Sequence, residues 1–159
     1  MRVGNTYCLM PIRERLQQRQ FHTLADEAVV SLMVAAEHID QAVAPIWERY
    51  GITADQYNVL RILRGVYPGG HPRNEVGRRM IRRAPDVTRM LDRLVRRGLV
   101  VRVQNADDHR ESVATITRAG LALLDRIDPE VLGVQKVATA PLTQHELRQL
   151  VRLCDALVP

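Results

Sequence analysis

The sequence predicts a mainly α-helical protein with one small β-hairpin. Apolar residues recur at three- and four-residue steps along most of the 159 residues, and glycines and prolines fall between these stretches. Two short segments typical of strands, "LVVRV" and "SVATI", flank the polar run "QNADDHRE". A chain of this length buries a core of its own, so we expect one domain, or one domain with a helical extension.

The first third of the chain predicts an arm followed by two helices. Residues 1–22 show no clean period and are interpreted as an N-terminal arm. A helical period begins near Thr23 and predicts a helix over 23–44, which Pro45 should end or kink because its ring clashes with the preceding turn. Thr53 is predicted to cap a second helix, "ADQYNVLRILRG", and "GVYPGGHP" is predicted to be a loop.

Two short helical patterns separated by a turn come next. The first covers Arg73–Ile81, and the second begins at Pro85 and stops at Gly98, a residue that favours helix termination. In the second pattern the apolar residues form one inward stripe. The residues predicted to face outward are Asp86, Thr88, Arg89, Asp92, Arg93 and Arg96.

The last third predicts two more helices, over 117–138 and 144–157. Thr117 should cap the first, and Pro129 and Gly133 should bend or interrupt it. The second opens on "LTQHEL", a capping box. Together with the helix over 23–44, these helices carry more apolar stripe than one small domain covers, so another surface should bury it. Burial in a twofold dimer is the simplest solution.

The excess positive charge lies in one central block. Residues 73–118 contain twelve arginines and six acidic residues, whereas the rest of the chain has 11 basic and 12 acidic residues. This distribution favours a surface that meets phosphate, although a solvated basic face has the same composition. All but one of the 23 basic residues are arginine, which suits phosphate and guanine contacts, although a GC-rich genome produces the same bias.

Two short helices, a turn and a hairpin are the elements of a winged helix-turn-helix, which we predict over 53–116. In that geometry the second helix enters the major groove of DNA and the wing reaches the flanking minor groove. Arg110 at the wing tip would be the inserted cation, and Asp107 or Asp108 would hold its guanidinium extended. Residues 23–52 and 117–159 are then predicted to be the helical dimerisation region.

The segments "TADQYNVLRIL", "NEVGRRM", "APDVTRMLDRLVRRGLVVR" and "NADDHRESVATITRAG" resemble the MarR family of bacterial transcription regulators, from about Thr23 to the end of the chain. The resemblance implies a homodimer that binds a pseudo-palindromic operator in double-stranded DNA, in most cases as a repressor. It places Arg89 near the start of the recognition helix, and Arg110 and Asp108 in the wing motif. The remaining residues predicted to face DNA are Asp86, Thr88, Arg93, Arg96 and His109, the last standing where the family commonly has Arg or Lys.

The resemblance also implies a cleft for a small aromatic or phenolic effector between the dimer helices and the winged domain. His38, Trp47, Tyr50 and Arg61 are the candidates to line it, and each would equally serve as ordinary packing or surface. An oxidant-sensing role for Cys8, beside Tyr7, is weighed against an ordinary cysteine.

Other classes of protein find little support in the sequence. It has no Gly-rich phosphate loop, no Gly-x-Ser-x-Gly and no His-Glu-x-x-His, so no enzyme is predicted. Its cysteine and histidine spacings suggest no metal site, and no cofactor is expected. We expect no apolar run to approach membrane-spanning length, and the start does not resemble a signal peptide, so we predict a cytoplasmic protein. The alternative function is a winged-helix module that binds an acidic protein partner.

Overall fold

The computed structural model describes residues 11–17, 20–82, 86–104 and 112–158. It is mostly helical with one small sheet, and the predicted fold class is confirmed. In chain order the elements are α1 Ile12–Arg15, α2 Leu24–Tyr50, α3 Ala54–Arg64, β1 His71–Pro72, α4 Arg73–Arg79, α5 Val87–Arg96, β2 Val100–Gln104, β3 Ser112–Ile116, α6 Arg118–Thr139 and α7 Gln144–Leu157.

The chain divides into two compact units. One unit is Ala44–Leu132 and holds the end of α2, the start of α6 and everything between them. We call it the winged unit. The other, the terminal unit, combines the described residues up to Val43 with those from Gly133 onward, and therefore contains most of α2, the end of α6 and α7.

An end of the helix at Pro45 and an interruption at Pro129 or Gly133 were among the expected effects, and both are wrong. Helix α2 continues through Pro45 to Tyr50, and α6 continues through Pro129 and Gly133 to Thr139. A proline removes one backbone hydrogen bond and crowds the preceding turn. Side chains buried on either side of each proline, Val43 and Ile46 in α2 and Ile127 and Val131 in α6, supply packing that offsets this cost.

The predicted helix caps are confirmed. Thr53 and Thr143 each form a capping box with the residue three positions later, and the Thr117 hydroxyl accepts the Gly120 N–H. Gly98 ends α5 with a φ of +68°, a conformation that glycine adopts at little steric cost. There the Leu99 N–H donates to the Leu94 carbonyl and the Gly98 N–H to the Val95 carbonyl, which is a Schellman motif.

The winged unit contains a three-stranded antiparallel sheet in the order β1-β3-β2. The β2–β3 hairpin is the predicted one, with Val100 opposite Ile116 and Gln104 opposite Ser112. Strand β1 was not expected, because it lies within the segment predicted to be a loop. It forms because Gly70 lets the backbone approach β3: a Cβ on this residue would lie 2.3 Å from the Ala114 carbonyl oxygen.

The core of the winged unit lies between its helices and one face of the sheet. Its fully buried side chains include Leu60 and Leu63 of α3, Leu91 and Leu94 of α5, and Leu124 of α6. Val100 and Ile116 close this core from β2 and β3. The helix-turn-helix and the hairpin are therefore parts of one packed body.

The terminal unit buries far less. No residue of α7 is buried, and apolar side chains such as Met33, Val137 and Val151 are 61–69% exposed. The predicted arm contains the short helix α1, whose Arg13 pairs with Glu27 of α2. This ion pair raises the pKa of Arg13 and lowers the pKa of Glu27.

The expectation that no apolar run reaches membrane-spanning length is wrong for α2. This helix has 27 residues, and an 18-residue window of it has a mean hydropathy of 1.3. The central turns carry few charges, while Asp26, Glu27, Glu48 and Arg49 lie near the ends. Length and composition alone are weak evidence for a membrane span, because a helix buried between the subunits of a soluble protein has the same properties.

Gly120→Ala is expected to destabilise the protein by about 2 kcal/mol. Overpacking costs up to about 3 kcal/mol, and the higher helix propensity of alanine offsets about 1 kcal/mol of this. The new Cβ would lie 2.4 Å from the Leu99 carbonyl oxygen, with no room to move. Gly133→Ala in the same helix meets nothing within 4 Å and should stabilise slightly. Urea denaturation followed by circular dichroism measures both, and equal stabilities for the two variants would contradict the packing of α6 on β2 and β3.

Candidate nucleic-acid interface

Helix α5, the second helix of the helix-turn-helix, separates apolar and cationic side chains onto opposite faces. Leu91 and Leu94 are fully buried, whereas Arg89, Arg93 and Arg96 are exposed. The helix begins at the N-cap Asp86, whose carboxylate accepts the Arg89 N–H at 2.9 Å. The apolar stripe therefore fixes which side of α5 faces solvent, and that side is cationic.

Arg89 lies one turn into α5 and its side chain is 76% exposed. Its Nε lies 3.4 Å from the other oxygen of the Asp86 carboxylate. Asp86 was predicted to face DNA, and its observed roles are to cap the helix and to pair with the neighbouring guanidinium. At this exposure the pair contributes little stability, but it restrains the arginine near the N-terminus of the helix.

Arg93 and Arg96 follow on the same face. Neither arginine forms an ion pair within the part of the chain that the structure describes. Arg93 and Arg89 line one open cleft of about 270 Å³ with Gln56 and Thr53 from the start of α3. The two guanidinium groups therefore share one solvent-facing surface.

Thr88, another residue of α5 predicted to face DNA, is half-buried, and its backbone contacts the wing. Its carbonyl oxygen accepts a hydrogen bond from Arg102 of β2 at 3.3 Å. The same guanidinium pairs with Asp92 at 2.8 Å, so Asp92, predicted only to face outward, is bound to the hairpin. No signal in the sequence identifies this partner, because Arg102 and Asp92 belong to different elements.

Arg97, at the end of the arginine-rich stretch, is exposed, but its guanidinium is bound to backbone groups of the protein. Its guanidinium donates to the carbonyl oxygens of Gly51 at 2.6 Å and Tyr50 at 3.2 Å, at the C-terminal end of α2. Helix C-termini carry partial negative charge, which favours a cation there. Arg97 is therefore not a member of the outward cationic face, although the sequence placed it in the same run.

The predicted wing-tip residues Asp108, His109 and Arg110 lie outside the described residues, as do Pro85 and Cys8. What the structure gives is the base of the wing, where β2 and β3 pair as far as Gln104 and Ser112.

Two of the four effector candidates, Trp47 and Arg61, contact the same residue, Tyr57. The rings of Trp47 and Tyr57 are 4.8 Å apart, and the Arg61 guanidinium lies 5.7 Å from the Tyr57 ring centroid. Tyr50 is bound separately, with its hydroxyl 2.6 Å from Glu130 and Arg126 over its ring. His38 is exposed on the part of α2 in the terminal unit.

Tyr57 is a buried residue of α3. Its hydroxyl donates to the Asp128 carboxylate of α6 at 2.7 Å, and Arg64 pairs with the same carboxylate at 2.6 Å. A tyrosine at an inward position of an otherwise aliphatic stripe is the signal that indicates such a partner, because a buried hydroxyl needs one.

Tyr57 is expected to keep its proton when ordinary tyrosines have lost theirs. Burial, and then the hydrogen bond to Asp128, raise the pKa of Tyr57 to about 12 from 10.0. The raised pKa favours the folded state below pH 10, and this contribution is lost as the pH rises through about 12. Phenolate absorbance during an alkaline titration measures it. Tyr57→Phe should remove one late-titrating phenol, and an unchanged titration curve would contradict the assignment.

Among the described residues no group of three or more His, Cys, Asp or Glu could hold a metal ion. Cys154 is a free, half-buried thiol on α7.

A packed unit in which two short helices precede a paired hairpin, with exposed arginines on the second helix, is a winged helix-turn-helix. Comparison with known proteins narrows this class. The model of the MarR family matches residues 52–112. A MarR transcription factor from Planctomyces limnophilus is 33% identical with a TM-score of 0.66, and the match covers 86% of this chain and 99% of that one. The chain belongs to the MarR family, whose members are soluble, ligand-responsive, DNA-binding transcription regulators and not enzymes.

Two further relatives carry more specific names. The homoprotocatechuate degradative operon repressor of Escherichia coli is 28% identical over 133 residues, covering 84% of this chain and 88% of the repressor. The PcaV transcriptional regulator of Streptomyces coelicolor, whose structure is a complex with its natural ligand, is 28% identical with a TM-score of 0.65 and matches 77% of this chain and 87% of its own. The resemblance stated from the sequence is confirmed, and a protein-interaction module without DNA binding is not favoured.

Proposed function

We propose that the protein is a homodimeric, cytoplasmic repressor that binds a pseudo-palindromic operator and is released by an aromatic carboxylic acid. One observation carries the DNA-binding part: Arg89, Arg93 and Arg96 are exposed on the face of α5 opposite the buried Leu91 and Leu94. A helix with one buried and one cationic face, presented at a domain surface, fits the major groove.

We assign different roles to these arginines. Arg89 lies near the N-terminus of α5, the end that faces base edges in this fold, so it would contact guanine. Arg93 and Arg96 lie further along and would contact phosphates, with Thr88 beside them. Asp86 would orient Arg89 without touching DNA.

The wing assignment is a proposal from sequence. Arg110 would enter the minor groove, where a narrow groove concentrates negative potential, and Asp108 would orient it. His109 carries less positive charge at neutral pH than the Arg or Lys common at that position, which should lower the salt dependence of binding. The described base of the wing supports the proposal, because its paired strands lead to this tip.

The dimer is proposed from the terminal unit. Apolar side chains on α2, α6 and α7 are exposed in the single chain, among them Leu24 at 82% and Leu157 at 67%. A soluble protein does not leave so many apolar residues in water. A second copy would cover them, so we assign dimerisation to residues 23–52 and 117–159 and DNA binding to 53–116, with 1–22 as an arm.

The effector proposal is supported by the aromatic and cationic group in the winged unit. Trp47 and Arg61 meet on Tyr57, so flat apolar surface and a positive charge lie side by side. That combination suits a ring bearing a carboxylate. Tyr50 and His38 are retained as candidates, and the name of the 28% identical repressor points to the same chemical class.

A two-stage binding experiment tests the proposal. Duplexes are first selected from a random pool with the purified protein, and the selected sequence is expected to contain two inverted half-sites about one helical turn apart. Homoprotocatechuate is then added, with catechol as the comparison compound, which has the same dihydroxylated ring but no acetic acid side chain. Release by the acid alone is expected. Selection of no preferred sequence would contradict operator binding, and equal release by catechol would contradict the role of Arg61.

A further inference from the structure

We infer that Arg97 and Arg102, two arginines of the positively charged region 73–118, act as positioning residues and do not contact DNA. Each fixes α5 near one of its two ends. The inference rests on the proposed placement of α5 in the major groove. It separates arginines that neutralise phosphate from arginines that only orient the helix.

Arg102 ties the first half of α5 to the wing. It lies in the middle of β2, opposite Ala114 of β3. Its guanidinium pairs with the Asp92 carboxylate at 2.8 Å and donates to the Thr88 carbonyl oxygen at 3.3 Å. Because a helical carbonyl oxygen points toward the residue four positions later, the Thr88 oxygen lies near Asp92 and one guanidinium reaches both acceptors.

The Arg102 contact is shielded from solvent more than the outward arginines are. The Arg102 side chain is 28% exposed, against 76% for Arg89. A guanidinium that binds two acceptors in fixed geometry restrains both the distance and the rotation of its partner. Arg102 therefore fixes how α5 is rotated relative to the strand that leads to the wing tip.

Arg97 ties the other end of α5 to α2. As the residue that follows the last turn, it donates to the carbonyl oxygens of Gly51 and Tyr50, which end α2. The two arginines thus fix α5 against two different elements, one toward each end.

Rotation of α5 matters because the residues bound by Arg102 are the direct neighbours of the outward arginines. Thr88 precedes Arg89, and Asp92 precedes Arg93. If the helix turned, its total charge would stay the same, but Arg89 would no longer meet the same base edge. Loss of either positioning residue should therefore weaken sequence discrimination and spare the attraction to any duplex.

The experiment compares Arg102→Gln, Arg97→Gln and Arg96→Gln on two probes. One probe is a duplex selected by the wild-type protein from a random pool, and the other is a scrambled duplex of equal length and composition. Arg102→Gln and Arg97→Gln are each expected to weaken binding to the selected duplex about tenfold and to leave the scrambled duplex within about twofold. The salt dependence of scrambled-duplex binding should not change.

Arg96→Gln is the matched control, because it removes an exposed cation from the position next to Arg97. It is expected to weaken binding to both duplexes by the same factor, with a salt slope lower by about one unit per lost phosphate contact. A general loss of folded protein would also act on both duplexes equally, so it does not imitate the result expected for Arg102→Gln.

A double-mutant cycle tests the partner. Asp92→Asn alone should weaken binding to the selected duplex as much as Arg102→Gln does, and the double variant should bind no more weakly than either single variant. Arg102→Lys should restore part of the discrimination between the two duplexes because it keeps the charge pair. Equal weakening on both duplexes with a reduced salt slope, or no change on either, would overturn the positioning role. Failure of the wild-type protein to select any sequence would instead overturn the proposed operator binding, so the two failures are distinguishable.

Discussion

Replacing Leu150 and Val151 together with glutamate is expected to convert the protein into a monomer and to weaken binding to its selected operator by at least about 100-fold. Both side chains lie on the apolar stripe of α7 and are 43% and 61% exposed in the single chain. If a second copy covers this stripe, two charges on each subunit would be buried without partners. The cost of burying them should exceed the free energy of dimerisation. Each winged unit would then bind its half-site alone, without the gain that linkage gives.

Light scattering after size exclusion measures the mass, which should fall from twice 18.1 kDa to 18.1 kDa. Gln149→Glu is the matched control, because it adds a negative charge at an exposed polar position on the opposite side of the same helix. It should leave both the mass and the binding unchanged. A double variant that stays dimeric would show that α7 does not form the subunit contact.

Replacing Arg89 with alanine is expected to remove most of the preference for the selected operator. A bidentate arginine–guanine contact discriminates by about 1–3 kcal/mol, and a homodimer loses it in both half-sites, so the operator complex should be weakened by about 30-fold or more. Binding to a scrambled duplex should change only slightly, because non-specific binding depends on phosphate contacts. Fluorescence anisotropy with both duplexes gives the ratio directly.

Arg93→Ala is the informative comparison for Arg89→Ala, because both guanidinium groups lie on the same open cleft. Loss of a phosphate contact weakens every sequence alike and lowers the salt slope by about one unit per contact. If Arg89→Ala behaved in the same way as Arg93→Ala, the base-contact assignment would be wrong.

The elements that local chemistry defines were predictable from the sequence. Thr53, Thr117 and Thr143 cap their helices because a hydroxyl next to free N–H groups satisfies them without help from distant residues. Gly98 ends α5 for an equally local reason, its positive φ. The order of two short helices and a hairpin followed from these signals, and so did the fold class.

The errors arose where packing between distant residues outweighs local preference. Pro45 was expected to end or kink its helix and Pro129 to bend or interrupt its own, but both helices are continuous and have buried neighbours on each side of the proline. Strand β1 has two residues and no periodicity of its own, and it exists only because Gly70 brings it against β3. Short patterns of this kind carry no signal that the sequence alone reveals.

In the candidate interface, too, local features were predictable and contacts between distant residues were not. The outward direction of Arg89, Arg93 and Arg96 followed from the apolar stripe of α5, which is local. The positions of the Arg97 and Arg102 guanidinium groups depend on carbonyl and carboxylate groups in other parts of the chain. Composition counts all five as equal cations, and only the fold distinguishes them.

Only three residues, Arg97, Gly98 and Leu99, connect α5 to β2, and a Schellman motif sets their conformation. With so short a connection, the helix and the hairpin cannot adjust independently, so in the proposed dimer each winged unit should bind its half-site as one rigid body. If base pairs were inserted between the half-sites, whole winged units would then move to accommodate them. The contacts to the bases would stay the same. Half-site sequence and spacer length should therefore vary independently among the operators that this protein accepts.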